Sequence, residues 1–117
     1  MKDNQLVSLS KQLAVEIINL CSNLKDSKKS SVLTNQLLRC GTSIGANVRE
    51  GNYASSRQDF INKFQIALKE CYETEYWLEL FVETNIITQN EYSFLINSCN
   101  KIRRLLVASI NTAKACQ

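Results

Sequence analysis

The stretch Leu37–Phe60, LLRCGTSIGANVREGNYASSRQDF, decides how this chain folds. Leu37, Leu38, Ile44 and Val48 recur at helical spacing, and Gly41 and Gly45 fall one turn apart on the same face. A glycine inside a helix costs about 1 kcal/mol relative to alanine. A pair of them on a buried stripe therefore points to a neighbouring helix that approaches too closely to admit a Cβ. The competing reading is a local break at the glycines between two shorter helices. Thr42, Ser43, Ala46 and Asn47 are small and none is proline, which favours one continuous helix. Gly51-Asn52 reads as its stop, because glycine readily takes the left-handed conformation of a helix cap. Ser55 or Ser56 then caps the next helix, with Asp59 in a first turn whose dipole favours an anion. So short a connection makes the flanking helices antiparallel neighbours.

Working outward, the same periodicity continues in both directions. Leu6, Leu13, Ile17, Leu20 and Leu24 form one stripe, with Leu9, Ala14 and Cys21 beside it and Lys11, Gln12 and Asn19 opposite, predicting a helix over about residues 4–24. LKDSKKSS is a polar connection, whose Lys25, Lys28 and Lys29 read as a solvated loop with some reach toward phosphate. Ser30 or Ser31 caps the second helix, 31–50. Beyond the turn, Phe60, Phe64, Ala67, Leu68, Cys71, Leu78 and Val82 mark the apolar face of a third helix, 56–84. Thr84-Asn85 ends it, and Thr88 with Glu91 has the spacing of a capping box that opens a fourth, 88–115. Four amphipathic helices without a strand pattern predict a single all-α domain, an up-down-up-down antiparallel four-helix bundle. The alternative is a helical array that assembles only on oligomerisation.

The third helix carries more aromatic surface than one bundle face needs. Tyr72, Tyr76, Trp77, Leu80 and Phe81 widen its apolar arc, and exposed aromatics at that density mark a partner surface. These five are the candidate self-association residues.

The 117 residues are 44% hydrophobic and 21% charged, with no proline and a net charge of +3. That charge is unevenly laid out. Residues 1–57 hold eight basic and four acidic side chains, residues 58–97 two and seven, and residues 98–117 four and none. Segregation of this kind suits a nucleic-acid-facing surface or complementary faces of identical subunits. Arg39, Arg49 and Arg57 on or beside the second helix, with Lys101, Arg103 and Arg104 on the fourth, are the candidate phosphate contacts. MKDNQLVSLSKQL lacks the apolar segment of a signal peptide, and no run of 18 apolar residues is available to span a bilayer. Five cysteines without CxxC spacing, on a chain with no histidine, fit a reducing cytoplasm.

Chemistry finds little support in the sequence. Glu70, Glu73, Glu75, Glu79 and Glu83 crowd the third helix, yet a ferritin-like di-metal site needs Glu-x-x-His, and histidine is absent. Ser43, Ser55 and Ser56 have no base at motif spacing. Gly41-x-x-x-Gly45 lacks the lysine and preceding strand of a phosphate loop. The expectation is a non-enzymatic protein without metal or cofactor. Counting 100° per residue places Glu75 amid the apolar face and Glu79 at its edge. A buried carboxylate needs a partner, and Arg103, on the edge of the returning helix, is the predicted one for Glu75 or Glu79.

LLRCGTSIGANVREG followed by DFINKFQIALKECYETEYWLELF resembles the bacterial four helix bundle protein family. Its founding members are encoded within intervening sequences of 23S ribosomal RNA genes, and it includes relatives of the accessory variability protein of diversity-generating retroelements. The likeness rests on Arg39, Ser43 to Asn47, Glu50-Gly51, Ser56, Phe60 and the ALKE-x-x-E-T-E-Y-W-L segment from Ala67 to Leu78. It extends loosely through EYSFLINSCNKIRRLLVASI. The resemblance implies a homopentamer of bundles and, for the retroelement relatives, a basic assembly engaging reverse transcriptase and nucleic acid. An alternative is a purely structural self-associating scaffold with no nucleic-acid role.

Overall fold

The computed structural model describes residues 4–24 and 31–116. Four helices follow one another: α1 (Asn4–Asn23), α2 (Ser31–Asn52), α3 (Arg57–Glu83) and α4 (Gln89–Ala115). Each packs on its sequence neighbour and α4 closes against α1, so α1 faces α3, and α2 faces α4, across the core. This is the up-down-up-down bundle, 48 × 21 × 19 Å. The α2–α3 seam is the most extensive and the α1–α4 seam the sparsest. Lys25, Lys28, Lys29 and Ser30 lie outside the described residues.

The glycine pair does close the α1–α2 seam. A Cβ on Gly41 would collide with Ile17 Cδ1 and come within 3.2 Å of its Cγ2, and one on Gly45 would sit 3.5 Å from the Ser10 backbone. α2 runs unbroken through both positions. Burying polar groups at so tight a seam requires local partners. Ser10 is 1% exposed and its Oγ donates to the Leu6 carbonyl at 2.6 Å.

Gly51 corrects the sequence reading. It is not a left-handed stop: it is helical and buried inside α2, which continues to Asn52, and no described glycine has positive φ. Its missing Cβ instead makes room for the Phe64 ring, whose Cδ1 and Cε1 would each lie 2.6 Å from a Cβ there. The helix runs past Gly51 because packing against α3 favours it there. Of the two candidate serines, Ser56 caps α3, accepting from the Asp59 amide at 3.1 Å.

The left-handed residue sits at the other end of α3, where Asn85 has φ 62°. Its amide donates to Val82 O at 3.2 Å and that of Ile86 to Phe81 O at 2.8 Å, the paired bonds of a Schellman cap. Two residues later the capping box is complete. Thr88 Oγ1 accepts from the Glu91 amide at 3.1 Å, and Glu91 Oε1 accepts from the Thr88 amide at 2.8 Å.

Phe64, Phe81, Leu13, Ile17, Leu37, Ile44, Leu78, Ile102 and Leu106 form the solvent-free centre. Each helix adds one buried thiol, Cys21, Cys40, Cys71 and Cys99, while Cys116 is exposed. Burial, then the neighbouring Cys40, pushes Cys21 up to about 11. The hydrogen bond with Cys71, followed by burial, raises Cys99 well above the ordinary thiol range. Thiols held protonated in this way are unreactive.

Candidate functional site

The six candidate cations divide into those used inside the subunit and those left on its surface. Arg39 belongs to the first group. It projects from α2 toward α3, where Nη1 donates to Glu70 Oε2 at 3.1 Å and Nη2 pairs with Glu73 Oε1. Trp77 Nε1 also donates to Glu73 Oε1, at 3.5 Å, and the Glu70 side chain is only 11% exposed. The bond to Glu73 holds the Arg39 guanidinium above its ordinary pKa. Arg39 is therefore an α2–α3 staple, although its side chain stays 52% exposed. Periodicity alone aims it away from the apolar stripe. The informative signal lies on α3: Glu70 and Glu73, one turn apart, flank the surface that meets α2.

Arg103 is likewise engaged. Its Nε donates to Glu75 Oε2 at 3.0 Å and its Nη2 to Asn100 Oδ1 at 2.8 Å, while the guanidinium carbon lies 5.9 Å from the Tyr72 ring centroid. Partial burial acts to lower its pKa, and the Glu75 bond reverses that into a net rise. Glu75 is thus the partner and Glu79 is not; Glu79 remains exposed and contributes, after burial, to raising the Tyr92 hydroxyl. Arg57 Nη1 donates to the Cys116 carbonyl at 2.8 Å, tying the start of α3 to the end of α4.

Arg49, Lys101 and Arg104 are exposed and make no ion pair among the described residues. The antiparallel order places the start of α1, the end of α2, the start of α3 and the end of α4 at one pole. Arg49, Arg57, Lys63 and Lys114 lie toward that pole, where the acidic side chains on the same segments are Asp59 and Glu50, the latter 3.3 Å from Lys63. Glu79, Glu83 and Glu91 lie toward the other. Arg57 and Glu79 are about 33 Å apart along α3 at 1.5 Å per residue. Among the described residues, basic side chains gather toward one pole and carboxylates toward the other, with Lys101 and Arg104 extending the cationic surface to the middle of α4.

The aromatic candidates also separate. Tyr72 and Tyr76 are 53% and 54% exposed. Trp77 and Leu80 are half-buried, Trp77 with its ring edge-on to Tyr76 at 5.7 Å. Phe81 is wholly buried in the subunit core, 0% exposed, which corrects its assignment to a partner surface: the arc at the end of α3 turns inward where Ile86 and Ile87 fold back. Phe94, 59% exposed, joins the surface aromatics; sequence reasoning passes over it because a lone aromatic on the polar flank of α4 gives no periodic signal.

On the opposite side of the bundle, a groove of about 470 Å³ runs between α1 and α2. Its floor and walls are Val7, Ala14, Thr42, Gly45 and Ala46, with Lys11 and Arg49 on its rim. The small residues that let the two backbones approach also leave this surface concave.

Residues 2–108 match the family model described as 23S rRNA-intervening sequence protein. A crystal structure of a protein of unknown function from the S23 ribosomal protein family of Bacteroides thetaiotaomicron is 48% identical, with TM-score 0.86, covering 90% of this chain and 97% of that one. No curated protein matches the chain. With nearly its whole length matched in sequence and its four helices superposed on those of a relative, the chain belongs to the 23S rRNA-intervening sequence protein family.

Proposed function

We propose that this chain is a non-enzymatic cytoplasmic protein that self-associates and engages RNA, DNA or a nucleoprotein through its cationic pole and the basic surface of α4. The supporting observation is that Arg49, Lys101 and Arg104 are exposed and stand free of carboxylates among the described residues. A single subunit of net charge +3 offers a weak field. Copies arranged in a ring, of which the homopentamer is the form implied by the family resemblance, multiply that field on one rim. Affinity for a polyanion rises with the number of phosphates neutralised together.

Fluorescence anisotropy with a labelled RNA across a salt series tests this. Binding that weakens as salt rises, and that Arg49→Glu with Arg104→Glu abolishes, is the expected result; no binding at low salt contradicts it. The second reading, a scaffold that assembles without nucleic acid, draws on the internal use of Arg39 and Arg103. It predicts the same oligomer with no RNA signal.

A further inference from the structure

The α1–α2 groove lies in the half of the bundle that ends at the cationic pole, since it is built from the first half of α1 and the second half of α2. Val7 and Ala14 on one wall and Gly45 and Ala46 on the other have short side chains or none, which leaves an open concavity of about 470 Å³. Thr42 also lines it, but its hydroxyl donates to the Leu38 carbonyl at 2.8 Å and is spent on its own helix. Positive charge enters from the rim, with Lys11 on α1 and Arg49 on α2, both exposed and without an ion pair among the described residues. Glu50, the carboxylate in the lining, is held by Lys63 of α3 at 3.3 Å. One turn beyond Arg49, Tyr53 is 75% exposed, its amide still donating to the Glu50 carbonyl at 3.2 Å.

We infer that this groove binds an unpaired nucleotide of a single-stranded nucleic acid. The base lies against Ala14, Gly45 and Ala46, its flanking phosphates meet Lys11 and Arg49, and the next base stacks on Tyr53. This rests on the polyanion binding proposed above and names the form of polyanion and the place that takes it. Three features select an unpaired base. The groove is in the size range that takes up ring-bearing groups, and its walls offer van der Waals surface rather than a pattern of hydrogen-bond donors. Lys11 and Arg49 stand on opposite walls of that apolar cleft, so a phosphate chain crossing it is met by a cation on each side. An exposed aromatic ring beside unpaired cations is the combination on which successive bases of a single strand stack. A duplex keeps its bases paired inside and presents this cleft with phosphate alone. Because stacking reads the face of a base and not its edges, the site takes bases without regard to sequence.

Competition for a labelled oligouridylate, followed by fluorescence anisotropy at low salt, tests the assignment. Unlabelled oligouridylate is expected to displace the probe about tenfold better than an RNA duplex or an inorganic polyphosphate of the same total charge. A surface acting by charge alone gives the opposite order, because the duplex has the greater charge density. Ala46→Leu fills the groove with a side chain that cannot stack, and Tyr53→Ser removes the ring, each from an exposed position and without changing the charge. Far-ultraviolet circular dichroism is expected to match wild type for both. Each is expected to weaken oligouridylate binding about tenfold while leaving duplex and polyphosphate binding unchanged. A wild type that prefers the duplex or binds all three equally overturns the groove assignment and leaves polyanion binding standing. So does either variant that keeps full affinity for oligouridylate, or that weakens all three alike. A wild type that binds none of the three overturns both the assignment and the reading beneath it.

Discussion

Arg103 Nε lies 3.0 Å from Glu75 Oε2 across the α3–α4 seam, and the Glu75 side chain is only 17% exposed. Removing the guanidinium strands a largely buried carboxylate, and a charge-assisted hydrogen bond of this kind contributes about 1.5–3 kcal/mol. Arg103→Met is expected to lower the melting temperature by several degrees, and Glu75→Gln added to it to recover part of the loss. Thermal denaturation followed by circular dichroism checks both. RNA affinity is expected to survive Arg103→Met, because this cation is already occupied within the subunit.

Gly51 faces the Phe64 ring, which is itself stacked on Phe60 at 4.1 Å between centroids. A methyl at Gly51 has nowhere to go without moving a ring held on both sides. Overpacking of this kind costs about 1–3 kcal/mol, which outweighs the roughly 1 kcal/mol that alanine gains over glycine in a helix. Gly51→Ala is expected to destabilise the fold in a denaturant melt. The opposite sign would mean that Gly51 acts as a simple helix weakener.

Asn85 holds a left-handed conformation at the end of α3. Glycine adopts it without steric cost and a β-branched residue does not. Asn85→Gly is therefore expected to leave the melting temperature unchanged or raised, and Asn85→Val to lower it.

The buried thiols give the fold an alkaline limit. Cys21 titrates near 9.0 when exposed and is pushed up to about 11 by burial. The unfolded chain thus releases this proton first, and stability falls as pH rises from about 9 toward 11, with no change below the unfolded value. Thermal melts across pH 8 to 11 are expected to show the decline, and Cys21→Ala to make it shallower. In a native thiol assay only the exposed Cys116 is expected to react rapidly, with the four buried cysteines appearing on denaturation.

The fold is legible in the sequence because it is written locally. Apolar periodicity marks the four helices, Ser56 and Thr88 mark the starts of α3 and α4, and the Gly41/Gly45 pair marks the tight seam with α1. The Glu75–Arg103 pair is legible because antiparallel register brings two near-buried charges to one level. What sequence reasoning misplaces depends on a neighbour. Gly51 carries a stop signal that packing against Phe64 overrides. Arg39 faces outward on its own helix and finds its carboxylates on another, and Phe81 lies on a wide apolar arc whose last turn is covered by the chain folding back. The α1–α2 groove has no linear signature, since it arises from small side chains on two helices at once.

Engagement of a polyanion by a shared cationic rim requires copies of the chain to meet. The most direct test is the molar mass of the wild-type protein in solution at micromolar concentration, by light scattering coupled to size exclusion. The account predicts a discrete multiple of 13.3 kDa. A single species at 13.3 kDa, with Tyr72 and Tyr76 facing water, would contradict it.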